Sequence, residues 1–168
     1  EMILSAQSIR EYCLIPHLSE PRRYKPMITP FTERTIEHGV SYGLSAAGYD
    51  IRARYGMTLH PGDFRLNVAI EHFALPRDVL AVIHDKSTWA RRGLSVFNST
   101  AEPGWRGHLT LELSNRGQET IVVVAGQAIA HVVFHRLDEP TEQPYAGKYQ
   151  DQPARPVPAI KETDDEGR

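Results

Sequence analysis

From Gly39 onward the chain is a succession of short apolar runs, 49–54, 57–59, 64–70, 79–83, 94–97, 109–113, 120–124 and 128–135, separated by Gly, Pro, Asn and Asp. Runs this short, bounded by turn residues, read as strands rather than helices. Eight of them in succession predict an all-β domain: a sandwich, a jelly roll or a closed barrel. A chain of 168 residues has the length for one such domain and its core.

The flanks differ in kind. Ser5 is a candidate N-cap, and Ile9, Cys13 and Leu14 behind it fall at helical spacing, which predicts one short helix over 5–14 and no other of substance. Four prolines between positions 16 and 30 remove backbone donors and predict an irregular arm. After Asp138 the chain turns polar, with Pro153, Pro156 and Pro158 ahead of an acidic end. The expected division is a folded domain over 1–152 and a flexible tail over 153–168, disordered or ordered by a ligand or a neighbouring subunit.

Charge and cysteine content narrow the functional classes. Lys and Arg number 19 against 21 Asp and Glu, so the net charge of -2 provides no electrostatic footprint for duplex nucleic acid. A small anion remains open as a ligand, because a local basic cluster binds it without altering the total. No apolar run reaches the length of a membrane span, and the start of the chain lacks a secretory pattern, so a soluble, cytoplasmic protein is expected. Cys13 is the one cysteine, which excludes an internal disulfide and a cysteine zinc site. The eight His residues show no paired ligand spacing on one element.

Three clusters carry chemistry. In 108–113, His108, Thr110 and Glu112 alternate with Leu109, Leu111 and Leu113, so Glu112 faces away from the leucine layer. That face is either plainly solvated or directed at a cavity, where partial loss of water suits a carboxylate to proton transfer. The stretch 85–93 packs Lys86, Arg91 and Arg92 with Ser87, Thr88 and a closing Gly93, donors and charge that suit a phosphate, although a solvated basic turn has the same composition. It lacks the spacing of a Walker loop. Glu102-Pro103-Gly104-Trp105-Arg106-Gly107 is a tight turn that can cradle a sugar or simply pack Trp105 on the core.

In order along the chain, these segments resemble the dCTP deaminases. Ser41-Tyr42-Gly43-Leu44-Ser45 with Gly48-Tyr49-Asp50-Ile51-Arg52 resembles the family's early segment, and His60-Pro61-Gly62 and 75–80 the next two. Lys86-Ser87-Thr88-Trp89-Ala90-Arg91-Arg92-Gly93 is similar to its Lys/Arg-Ser-Ser/Thr-x-Ala-Arg-x-Gly motif. Glu102-Pro103-Gly104-Trp105 with Thr110-Leu111-Glu112 resembles the catalytic segment, and Gly147-Lys148-Tyr149-Gln150-Asp151-Gln152 the C-terminal motif.

The resemblance implies a dUTPase-like distorted jelly roll or β-barrel with a short N-terminal helix, assembled as a homotrimer with shared active sites. It implies hydrolysis of dCTP to dUTP and ammonia, with dCTP, dUTP and dTTP as the type of nucleotide bound. Glu112 would be general base and acid, with Ser87 and Arg91 organising the water and the developing charge. Lys86, Ser87 and Thr88 would hold the triphosphate, with Mg²⁺ on its oxygens. Ala101 falls in the stretch 98–101 that borders the base, Glu102 and Trp105 match positions lining the deoxyribose, and Tyr145, Lys148 and Gln152 match the tail residues that close over the phosphates. Zinc-dependent nucleobase deaminases need a His/Cys set that one cysteine cannot supply, so a zinc-independent reaction is expected. The sequence departs from the family pattern at His131, where Gln is usual, at Val68-Ala69, where hydroxyl-bearing residues are usual, in detail at Asn98-Ser99-Thr100-Ala101, and in a compressed segment between Met57 and Phe64. The rival readings are a dUTPase, a bifunctional enzyme that carries dCTP on to dUMP, and a nucleotide-binding module without catalysis.

Overall fold

The computed structural model describes residues 2–14 and 25–162; positions 15–24 of the proline-rich arm and the acidic end 163–168 lie outside the described residues. The chain opens with a short strand, β1 (Met2–Ile3), and the helix α1 (Ala6–Leu14). Ser5 precedes the helix, and its hydroxyl accepts from the Ser8 N–H at 3.4 Å. Ile9 and Cys13 form the buried face, and burial pushes the Cys13 thiol up to about 12.

Four strands lead into the body: β2 (Ile28–Thr29), β3 (Thr35–Glu37), β4 (Val40–Ser45) and β5 (Gly48–Arg52). Then come β6 (Met57–Leu59), β7 (Phe64–Ala74) and β8 (Val79–Asp85), followed by a single helical turn, α2 (Ser87–Ala90). The last five are β9 (Leu94–Val96), β10 (Thr100–Ala101), β11 (Arg106–Asn115), β12 (Ile121–Val123) and β13 (Ala128–Arg136). All eight expected runs are strands, with ends displaced by a few residues; β1, β2, β3, β4 and β10 were not expected, and α2 is a second, one-turn helix.

The strands pair antiparallel in two main sheets. One runs β10-β8-β13-β5-β4-β3, with β1 also on β13; the other runs β2-β7-β11-β9, and β12 pairs with β6. Side chains from both sheets meet in one core. Phe73 of β7 and Phe134 of β13, both fully buried, sit 6.3 Å apart between ring centroids. Each large side chain so buried contributes roughly 1.5–3 kcal/mol. No described helix is long and apolar enough to cross a membrane.

An irregularity in the second sheet ties it to the first. Between the pairs His108↔His72 and Thr110↔Val68, β7 carries three intervening residues and β11 one, so β7 bulges. The bulge turns Glu71 inward, where it accepts from the Arg52 backbone N–H at 2.9 Å and from its Nε at 2.8 Å. Burial pushes the Glu71 carboxyl up despite those bonds. Val68 and Ala69, two of the departures from the family pattern, are fully buried beside this bulge.

Candidate active site

A cavity of about 460 Å³ opens where the two sheets diverge. Its floor is Phe64 and Leu66 of β7 with Leu109, Thr110 and Glu112 of β11. Ile83 of β8, the segment 98–101, Glu102 and Trp105 form the walls. Tyr145, Tyr149, Gln152, Val157 and Ala159 close it from the C-terminal segment. The size suits a small organic ligand.

Glu112 of β11 pairs with Leu66 of β7, while Leu111 and Leu113 on the opposite face are fully buried. Alternation therefore places the carboxylate on the cavity, as the second of its two sequence readings has it. Among the described residues this carboxylate has no hydrogen-bond or ion-pair partner. The lining holds two acids, Glu102 and Glu112, and no Lys or Arg. Such a surface suits an uncharged ring and sugar far better than a polyphosphate.

The C-terminal segment is attached by directed bonds. Gln152 Oε1 accepts from the Thr110 N–H and from its hydroxyl, each at 3.2 Å, and the Val157 N–H donates to the Thr110 hydroxyl at 3.0 Å. Trp105 is buried, packs in the core cluster as one of its two readings has it, and also lines the cavity, while its indole N–H donates to the Tyr149 carbonyl at 2.7 Å. Asp151 pairs with Arg106. Gly107 permits this approach, because a Cβ there would lie 2.5 Å from the Gln152 backbone nitrogen and the residue has φ of 139°. Residues 153–162 continue along the domain, with the Ile160 N–H bonded to the Tyr149 hydroxyl at 2.9 Å.

The basic turn stands apart. Lys86 is buried and its ammonium donates to Asp50 at 2.5 Å and to Ser41 at 3.3 Å, which commits two of its three donors. His131 Nδ1 lies 2.8 Å from the other Asp50 oxygen. Burial works against the charge on Asp50, yet the bonds from His131 and Lys86 hold its carboxyl below the usual range. At the far end of the turn the Trp89 indole N–H donates to the Ala128 carbonyl at 2.7 Å. With Lys86 and Trp89 pinned, Ser87, Thr88, Arg91 and Arg92 are exposed, Arg92 with its guanidinium over the Trp89 ring at 5.3 Å.

Of the residues expected at a site, Ala101, Glu102, Trp105, Glu112, Tyr145 and Gln152 line one cavity. Lys86, Ser87, Thr88, Arg91 and Lys148 do not. Lys148 lies 3.4 Å from Glu162 and 5.5 Å from the Tyr149 ring centre. Thr110, Tyr149 and Val157 join the cavity without having been expected there; the strict alternation of β11 was the one signal for Thr110. No three His, Cys, Asp or Glu side chains among the described residues converge as a metal site.

Known proteins match this chain at both levels. A family model described as dCTP deaminase-like covers residues 43–137. A dCTP deaminase of Campylobacter fetus subsp. fetus is 39% identical over 80% of this chain and 90% of its own. Among solved structures, the EIAV dUTPase superposes with a TM-score of 0.54 at 19% identity, over 73% of this chain and 98% of that one. A dUTPase from phage phi11 of S. aureus, which coordinates a structural Mg(II) ion, gives 0.52 at 14% identity, over 67% and 88%. At such identities the structural likeness is one of fold.

Proposed function

This chain belongs to the dCTP deaminase family, and on that premise we propose that it hydrolyses the amino group from the cytosine of dCTP, giving dUTP and ammonia, with Glu112 as general base and acid. The observation that carries the assignment is the uncommitted Glu112 carboxylate on a cavity free of cations. Hydrolytic deamination needs one group to take a proton from water as it attacks the ring carbon, and to return it to the ring and the departing amine. The cavity receives the base and the deoxyribose, with Ala101 and the 98–101 segment at the base and Glu102 and Trp105 at the sugar. Tyr145, Lys148 and Gln152 belong to the segment that closes over the nucleotide.

The triphosphate then needs cations the cavity lacks. The exposed turn with Ser87, Thr88, Arg91 and Arg92 provides them from a neighbouring copy in a homotrimer, which also brings Ser87 and Arg91 to the water beside Glu112. Mg²⁺ would be held through the triphosphate oxygens, where it would offset their charge, with Glu112 left free for proton transfer.

Chromatography of products from the purified protein with Mg²⁺ and either dCTP or dUTP tests the assignment. Formation of dUTP from dCTP, with dUTP left intact, is expected; conversion of dUTP to dUMP with dCTP untouched would sink it. A second reading has one observation in its favour: Glu102 places a second carboxylate on the same cavity, where it can orient a water for attack on phosphorus. Appearance of dUMP from dCTP would establish that bifunctional form.

A further inference from the structure

We propose that Asn98 is a positioning residue for the reaction, because its carboxamide replaces a peptide unit of the sheet at the backbone of Glu112; this role rests on the deaminase reading above. Strand β9 pairs with β11 through Leu113↔Val96, and one residue further the Phe97 N–H still donates to the Glu112 carbonyl at 2.8 Å. There the chain leaves. By Thr100–Ala101 it has joined β8 in the other sheet, with the Ile83 N–H reaching the Ser99 carbonyl at 3.3 Å. This crossing is what separates the sheets and opens the cavity, since 98–101 form its wall.

A departing strand strips its neighbour of partners. In a continued antiparallel ladder, the Glu112 N–H and the Thr110 carbonyl would both bond to the backbone of the adjacent strand. Instead the Glu112 N–H donates to Asn98 Oδ1 at 3.0 Å, and Asn98 Nδ2 donates to the Thr110 carbonyl at 2.6 Å. One carboxamide thus does the work of one peptide group, offering an acceptor and a donor in the order the strand requires. No other side chain holds both oxygen and N–H in that planar arrangement at this length. On its open side the backbone that aims the carboxylate into the cavity is held at the Glu112 N–H and the Thr110 carbonyl by Asn98, beside the Phe97 N–H on the Glu112 carbonyl and Gln152 on the Thr110 N–H, with Leu66 of β7 on the other side.

The consequence is kinetic. Displacement of a reacting group by about 1 Å can cost about 100-fold in rate while leaving binding nearly intact. Asn98→Ala removes both bonds and is expected to lower kcat for dCTP about 10- to 100-fold with KM within about threefold, the signature of lost alignment. Asn98→Asp keeps the acceptor but loses the donor while its carboxyl is ionised. Once protonated, that carboxyl donates to the Thr110 carbonyl again, so the kcat–pH profile of this variant is expected to shift toward acid relative to both wild type and Asn98→Ala. General weakening of the fold would not produce such a shift.

The outcomes separate cleanly. If the wild type deaminates dCTP and Asn98→Ala keeps its kcat, or loses efficiency through KM alone, the positioning role is overturned and the function stands. If Asn98→Ala fails to fold, Asn98→Asp decides: a wild-type kcat at every pH overturns the role, and an acid-shifted profile sustains it. A wild-type protein without activity on dCTP overturns the deaminase reading and this role together.

Discussion

Gln152 accepts both the backbone N–H and the hydroxyl of Thr110, and Thr110 stands two positions before Glu112 on the same strand. The C-terminal segment is therefore fastened to the strand that carries the carboxylate. Gln152→Ala leaves a buried N–H without an acceptor, at a cost of about 1–3 kcal/mol. Amide exchange of residues 149–160 should accelerate in this variant, and KM for dCTP should rise more than kcat falls.

Glu112→Gln preserves the shape of the cavity and removes the group that accepts a proton. Nucleotide affinity, read by calorimetry, should stay near wild type while kcat falls on the order of 10²–10⁴-fold. Activity that survives this change would show that another group is the base.

The proposed homotrimer, with its site divided between the Glu112 cavity and a neighbouring copy's Ser87 turn, predicts complementation between inactive variants. Homotrimers of Ser87→Ala and of Glu112→Gln should each be nearly silent. Unfolding and refolding them as an equal mixture should restore about a quarter of wild-type sites by random assortment. Mixing without dissociation should restore none.

Asp50 is held between Lys86 and His131 in a nearly buried cluster. Asp50→Asn leaves the Lys86 ammonium without its carboxylate and should cost about 3–5 kcal/mol, read as a lower urea midpoint. Replacing Asp50 and Lys86 together by Leu and Met should cost less than Asp50→Asn alone, because no unpaired charge remains.

His72 and His108 meet edge to face with centroids 5.3 Å apart. Burial, then the neighbouring positive charges of His108 and Lys25, holds His72 below the ordinary 6.5; burial likewise lowers His108, although its ring bonds the Ala69 carbonyl. Below about pH 6.5 the unfolded chain binds protons that these rings in the folded protein refuse, so stability falls with pH until their lowered values are reached. The double change to Gln should flatten urea midpoints across that window and leave them unchanged above it.

Period-two alternation made the strands legible, and Met57–Leu59 follows it to the residue. β7 was read only to Ile70 because the bulge breaks the alternation and places a charged Glu71 inside, where its partner Arg52 comes from a distant strand. Strand β4 was missed because a glycine interrupts it: Gly43 has φ of 86°, and a Cβ there would lie 2.6 Å from the Thr32 and Glu33 carbonyls. Local alternation turned Glu112 away from the leucine layer but left a solvated face and a cavity both open, and the elements that make the cavity are distant in sequence. The burial of Lys86 against Asp50 and the carboxamide bridge of Asn98 arise from contacts 36 and 12–14 positions apart, which no short motif encodes.

The cavity's lining runs from Phe64 to Ala159. During synthesis the sheets have all their strands once Arg136 has emerged, but the roof is still missing. A chain that stops before Tyr145 would thus have every named strand of the two sheets and an unroofed hollow. Strand content would not distinguish such a product, whereas nucleotide turnover would reveal it at once.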